Sequence, residues 1–448
     1  MIAIVGGGIS GLSAAYELTR RGIPFRLFEA SDRLGGLIRT DRLDGFTIEA
    51  GADSMLAQKR AAIDLCIELG LEAQLISTRM PRTAFVLRDG RLFPLPSPSM
   101  LGIPATWRGL LQFDLLPLSA RARLAMEPLV RRGAPTSESI GHFYARRFGR
   151  ATVDLIAQPL LGGIHSGDVN TLSLHELMPR LVEAEASGSV LRWVRGVVRT
   201  SDSQGAFRSL SGGMEELVNA IRMRLPAGSI ELNAPVNGIE AGWKVRLDTG
   251  EVACSAVILA VPAHAAARIL TKVDATAANL CARTAYVSTV SVVLGWSRTA
   301  VDHPLHGSGF VVARSRSSGR MHACTWSSSK FDGRAPSGTA LFRAFFGGAL
   351  DPQAVDLTDD QLVRLAVTEL SPVLKLEGEP RLARVYRWRQ AGAQHDVTHP
   401  ARMEQLRIRL ERLPGLYVAG SGFRAVGVPD CIADGRATAI AASTLTPR

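Results

Sequence analysis

Residues 1–22, MIAIVGGGISGLSAAYELTRRG, decide the fold. Four apolar residues, Ile2 to Val5, read as a buried strand, and Gly6, Gly8 and Gly11 follow in G-x-G-x-x-G spacing. Leu12, Ala15, Tyr16 and Leu18 then fall on one face of a helix that Gly22 stops. Phe25 to Glu29 reads as a second strand. Strand, glycine turn, helix and strand within about 30 residues is the setting that makes the motif informative.

The spacing has a physical reason. Gly6 permits the tight turn, Gly8 lets the backbone approach a pyrophosphate, and Gly11 lets the helix pack close to the strand. The N–H groups of the turn and helix start, from Gly6 and Gly7 through Gly8, Ile9, Ser10 and Gly11, face the phosphates, helped by the helix dipole. Glu29, with Ala30 beside it, ends the second strand, where a carboxylate accepts hydrogen bonds from ribose hydroxyls and disfavours a 2′-phosphate. The expectation is an α/β chain with a Rossmann-type nucleotide domain.

NAD and FAD share this opening, and the next residues separate them. Asp32 to Thr40 carries the pair Gly35 and Gly36, which lets the chain run along a long cofactor, and Arg33, within reach of a phosphate. Phe46 to Ser54 (FTIEAGADS) adds an E-x-G turn with Gly51, Ala52, Asp53 and Ser54. These stretches resemble the FAD-binding amine oxidase and protoporphyrinogen oxidase superfamily, in which both run along the flavin. The resemblance continues far down the chain. Ala206 to Met214 precedes a helix expected over Glu215–Leu225, a strand over Ile230–Val236 and a buried strand over Val257–Val261. In that superfamily the residue at Val236 meets adenine through its backbone. Gly415 to Gly422 and Gly427 to Ala437 then look like the third FAD segment, with Gly420 in its turn. There Gly427, Val428 and the helix-starting Pro429 face the flavin ring. Ser421 stands where relatives often carry an acid or asparagine. FAD is the expected cofactor.

The middle of the chain narrows the family. Leu161 to Asp168 (LGGIHSGD) with Leu172-Ser173, Gly307 to Phe310, Thr325 to Pro336 (TWSSSKFDGRAP) and Phe345 to Gly348 are similar to protoporphyrinogen oxidase signatures. The departures are His165 in place of a tyrosine, and Ala391 to His395 with Thr398-His399 in place of a Pro-Gln-Tyr…Gly-His segment. The resemblance implies oxidation of a porphyrinogen, protoporphyrinogen IX or coproporphyrinogen III, on the way to haem. It implies molecular oxygen as acceptor and a downstream pathway enzyme as recipient of the product. Sequence does not choose between the two tetrapyrroles. A flavin amine oxidase, a carotenoid desaturase and a non-catalytic flavin- or porphyrin-binding protein are the competing readings. Asp53 is the candidate catalytic residue, orienting a pyrrole N–H or else capping the turn after it. Arg82 is the candidate for a substrate carboxylate, against an ordinary surface role, and Gly163 and Ile164 are further substrate-side candidates. The histidines suggest no metal site, because Thr398 and Pro400 disfavour a helix presenting both His395 and His399.

Composition sets the outer limits. The 448 residues are 46% hydrophobic and 21% charged, which suits a globular chain of several domains. Five scattered cysteines argue against a disulfide framework or zinc module. The net charge of +11 comes from spread arginines, with only five lysines, so a nucleic-acid partner is not expected. No apolar run approaches the ~18 residues that cross a bilayer. The first strand begins at Ile2, leaving no room for a leader, so a cytoplasmic protein is expected. The expected division is an FAD domain over 1–80, 205–265 and 405–448, a mixed-sheet substrate domain over 81–96 and 266–404, and a helical insertion over 97–204. In relatives that insertion contacts the inner membrane face; an ordinary substrate lid is the other reading.

Overall fold

The computed structural model describes residues 1–133, 137–199, 205–314 and 319–444. Ile2–Val5 is the central strand of a five-stranded parallel sheet, ordered Ile230–Glu231, Phe25–Phe28, Ile2–Val5, Ala256–Leu259, Leu416–Val418. Parallel pairing in register (Ile2 with Phe25 and with Ala256, Val257 with Leu416) brings all the strand C-termini to one end. A sheet covered on both faces needs continuous apolar strands, which is why Ile2–Val5 and Ala256–Leu259 do not alternate. Helix Ile9–Arg20 packs on helix Val428–Ser443, so the two ends of the chain meet beside the glycine turn.

Two sequence expectations need correction. The strand over Ile230–Val236 stops at Glu231, because Asn233 takes a left-handed φ of 52° and Pro235 has no N–H to donate. The helix over Glu215–Leu225 closes at Arg222.

A seven-stranded sheet holds the other half. Its order is Leu382–Gln394, Ala285–Ser297, Thr339–Gly347, Ala323–Trp326, Gly309–Val312, Ala84–Arg88, Arg91–Pro94, antiparallel except where Gly309–Val312 runs parallel to Ala84–Arg88. Trp296, Trp326, Phe342 and Phe346 are buried on one of its faces, beneath helix Asp359–Leu374. Met55–Leu56, Phe207–Leu210 and Leu75–Ser77 form a small antiparallel sheet.

Between residues 97 and 199 the chain is mainly helical around Phe143, Tyr144 and Phe148, whose rings meet edge to face. Fully buried Glu127 is ion-paired with Arg147 and accepts from Ser189 Oγ and the N–H groups of Val190 and Leu191. It thus caps helix Val190–Arg199. Val153–Gly162 winds as a π-helix around Pro159, whose missing N–H breaks the α ladder, and leads into Gly163. Among the described residues no helix is long and apolar enough to cross a membrane.

Candidate functional site

The glycine turn is built as its spacing requires. Gly6 has φ 104°, and a Cβ there would lie 2.5 Å from the Ala260 carbonyl oxygen. A Cβ on Gly11 would strike the Gly6 oxygen at 1.9 Å, so helix and strand approach only with glycine present. Gly8 differs: nothing lies within 4 Å of its would-be Cβ, and it caps the helix without a side chain. The buried N–H end at Ile9 and Ser10 therefore has no capping side chain and opens onto a cradle of the kind that can receive a phosphate. Glu29 is aimed at this cradle by Gly7 N–H (2.6 Å) and Ser31 N–H (2.8 Å), and Ala30 is exposed beside it.

Gly35 N–H donates to the Gly7 carbonyl at 2.9 Å, setting Gly36 against Gly8. The Arg33 guanidinium donates to the carbonyls of Leu34, Gly36 and Ile38 and lies 6.0 Å over Trp388, which braces the turn. The E-x-G turn is clamped from the large sheet. The Ala50 carbonyl accepts from Ser291 Oγ (3.2 Å), Arg343 Nη2 (2.8 Å) and Trp388 Nε1 (2.9 Å). Glu49 is buried and accepts from Thr40 Oγ1 and Met214 N–H, both at 2.8 Å. Burial pushes its carboxyl up to about 7, against the pull of Arg334 3.6 Å away.

The third segment closes the cradle. A Cβ on Gly420 would come within 3.3 Å of Ser10 Oγ, and Gly427, Val428 and buried Pro429 start the last helix. Asp434 Oδ2 accepts from Gly420 N–H at 2.7 Å, so an acid on the helix supplies the fixing that Ser421 lacks. Val236 is half-buried against the outer face of the parallel sheet.

As Thr398 and Pro400 led one to expect, His395 and His399 are not presented from one helix, yet the structure brings their rings together. His395 follows strand Leu382–Gln394 and His399 opens helix His399–Glu411, which stacks their rings 4.0 Å apart at 8°. Their Nε2 atoms sit 2.8 and 2.9 Å from the carbonyls of Ser421 and Phe423. Glu176 approaches His395 Nδ1 at 4.0 Å, close enough to form a candidate metal triad. Parallel rings do not aim their lone pairs at one ion, however, and the Arg402 guanidinium holds His399 Nδ1 at 3.1 Å. The pair is a clamp on the third segment. Burial pushes His399 down to about 4 and lowers His395, so both rings are neutral near pH 7.

Asp53 lies two residues past Gly51, with Ala52 between them and Ser54 donating to its Oδ1 at 2.6 Å. Its backbone carbonyl accepts from Ser209 Oγ, which in turn accepts from buried Arg334, so the Arg-Ala-Pro run positions this turn. Lys330, from the same run, puts Nζ 2.7 Å from Asp53 Oδ2. Burial works to raise the Asp53 carboxyl, but Lys330 and Arg343 outweigh it and hold it below the usual carboxylate range. Sequence reasoning missed Lys330, although it stands inside the quoted Ser-Ser-Ser to Arg-Ala-Pro stretch. Arg82 Nε donates to the Thr78 carbonyl at 3.1 Å, on the loop leading to strand Ala84–Arg88. Gly163 is half-buried after the π-helix, and Ile164 is 67% exposed. Burial takes His165 down to about 4, and Gln394 Nε2 donates to its carbonyl at 3.0 Å.

Comparison with known proteins agrees with this geometry. The family model for flavin containing amine oxidoreductases matches residues 9–442. The chain is 33% identical to the coproporphyrinogen III oxidase of Bacillus subtilis (strain 168), covering 97% of this chain and 96% of that one. It is 30% identical to the Staphylococcus aureus protein of the same name, over 98% of each. A crystal structure assigned as a protoporphyrinogen oxidase from Exiguobacterium sp. 255-15 superposes with a TM-score of 0.88 at 30% identity, covering 99% and 98% of the two chains. UDP-galactopyranose mutase, at 17% identity and a TM-score of 0.75, shares the fold alone. With its model matched over residues 9–442 and relatives of 30–33% identity covered almost end to end, the chain belongs to the flavin-containing amine oxidoreductase family.

Proposed function

We propose that this protein oxidises a porphyrinogen, and specifically coproporphyrinogen III, to the porphyrin, with molecular oxygen as final acceptor. The observation that carries the reading is the reach of the likeness to coproporphyrinogen III oxidases: 97% of the chain, substrate-side segments included. FAD, when bound, supplies the hydride acceptor. The chain's residues do the rest. The glycine cradle and Glu29 hold the dinucleotide, and the clamped turn at Ala50 fixes Asp53 beside it. Ionised Asp53 accepts a pyrrole N–H and stabilises the positive charge that hydride loss leaves on the macrocycle. No acid–base dyad is needed, because electron-rich pyrroles share that charge, and positioning lowers the barrier most.

The segments 1–80, 205–265 and 405–448 act as the FAD domain, 81–96 with 266–404 as the substrate domain, and 97–204 as a helical insertion. That insertion exposes Trp107, Leu111, Leu118 and Leu129 at 52–79% of their surface, and Arg195 stacks 4.5 Å over Trp107. Apolar side chains beside arginines suit the inner membrane face, where the product passes to the next haem-pathway enzyme. Aerobic assay of FAD-loaded protein tests the reading. Porphyrin fluorescence should grow faster from coproporphyrinogen III than from protoporphyrinogen IX. No fluorescence from either substrate would overturn the assignment.

A further inference from the structure

Lys330 has an ammonium with three donors, and among the described residues Asp53 is the acceptor for one of them. Its side chain is only 14% exposed, with Nζ 5.5 Å over the Phe207 ring and 5.1 Å over Phe331. Among the described residues its remaining donors meet no acceptor, so they are available to an incoming anion. The surrounding charge is also unbalanced. Arg334, Arg343 and Lys330 face the carboxylates of Asp53 and Glu49. Arg79 stands at the same edge, its N–H donating to the Lys330 carbonyl at 2.9 Å and its guanidinium paired with exposed Asp332 at 3.2 Å. A partly buried cation with spare donors, in a cluster carrying excess positive charge, is completed by an anion.

We propose that Lys330 is a substrate-anchoring residue: its ammonium, braced by Asp53, takes a propionate carboxylate of the porphyrinogen. The inference rests on the function proposed above. It assigns Asp53 and Lys330 complementary tasks on one ligand, the carboxylate meeting pyrrole N–H groups and the ammonium meeting a side-chain carboxylate at the macrocycle's edge. Arg79 and Arg82 extend the basic edge beyond it.

The test pairs an enzyme change with a substrate change. Coproporphyrinogen III and its tetramethyl ester are assayed with the wild-type holoenzyme, Lys330→Met, Lys330→Arg and Asp53→Asn. Flavin absorbance and melting temperature confirm that each variant is folded. In the wild type, esterification should raise KM roughly tenfold to a hundredfold, the range of one charge-assisted hydrogen bond. In Lys330→Met most of that penalty should vanish, because the acid is already bound as poorly as the ester. Lys330→Arg should retain it. Asp53→Asn should retain it too while lowering kcat, which separates an anchor from a mere counter-ion. An equal ester penalty in wild type and Lys330→Met, or its loss in Asp53→Asn with Lys330 intact, would overturn the anchor and leave the oxidase reading standing. A folded, flavin-loaded wild type that turns over neither compound would overturn the oxidase reading itself.

Discussion

A carboxylate beside a bound flavin either donates a proton or holds a negative charge, and its neighbours decide which. At Asp53 the ammonium of Lys330 and the guanidinium of Arg343 keep the charge in place. Asp53→Ala should therefore lower kcat and kcat/KM together by about tenfold or more, the pattern of an interaction made in the transition state; an unchanged kcat removes Asp53 from the chemistry. Glu49 behaves oppositely. Its carboxyl titrates near 7 in the fold and near 4.5 in the unfolded chain, so the folded protein binds the extra proton and stability falls as pH rises from 4.5 to 7. Glu49→Gln keeps an acceptor for Thr40 or Met214 and should flatten that fall, adding about 1–3 kcal/mol at pH 8. Denaturant melts at pH 5 and 8 measure it. The glycines and Glu29 were legible in the sequence because their neighbours lie close along the chain. Lys330 was not, since no spacing links position 53 to a residue 277 places on.

At the scale of elements, the buried Glu127 caps one helix and neutralises Arg147 on another. Glu127→Ala should cost about 3–5 kcal/mol, because it removes the nearer carboxylate from a buried guanidinium and leaves it only Glu185, 3.6 Å away. A thermal melt showing less than ~1 kcal/mol of loss would contradict that. The stacked histidines should make the third segment acid-sensitive. His399 titrates near 4 in the fold against 6.5 unfolded, so its contribution is whole above 6.5 and is lost as pH falls towards 4. Flavin should accordingly dissociate more readily at pH 5 than at pH 7.5, and His399→Gln should weaken that dependence, as read by free-flavin fluorescence. Element types were largely legible from apolar periodicity. The ends near Asn233 and Arg222 were not, since a left-handed residue and the packing of the last helical turn decide them. The clamp was hidden for another reason: a strand end and a helix start, four residues apart, turn both rings the same way.

Over the whole molecule, chain positions 2, 25, 230, 256 and 416 begin the strands of one parallel sheet. The cofactor cradle takes backbone from both ends of the chain, so FAD binds only the assembled form and should raise the melting temperature in proportion to the logarithm of its concentration. The first cradle was readable at once from G-x-G-x-x-G, and the last from the Gly-Val-Pro helix start. How the large sheet clamps Ala50 was not, because Ser291, Arg343 and Trp388 come from three separate strands. The exposed apolar side chains of the insertion carry a prediction of their own. Leu118→Asp with Leu129→Asp should reduce sedimentation with anionic vesicles and leave flavin content unchanged.

The proposed oxidation requires that a flavin held by this cradle take hydride from a porphyrinogen. Anaerobic mixing of the FAD-loaded protein with coproporphyrinogen III, followed at the flavin's visible absorbance, tests it most directly. Bleaching of the yellow band is expected as each flavin takes one hydride equivalent from the porphyrinogen, and return of the band, with growth of porphyrin fluorescence, once admitted air lets the flavin turn over repeatedly. A flavin that stays oxidised with excess porphyrinogen would contradict it.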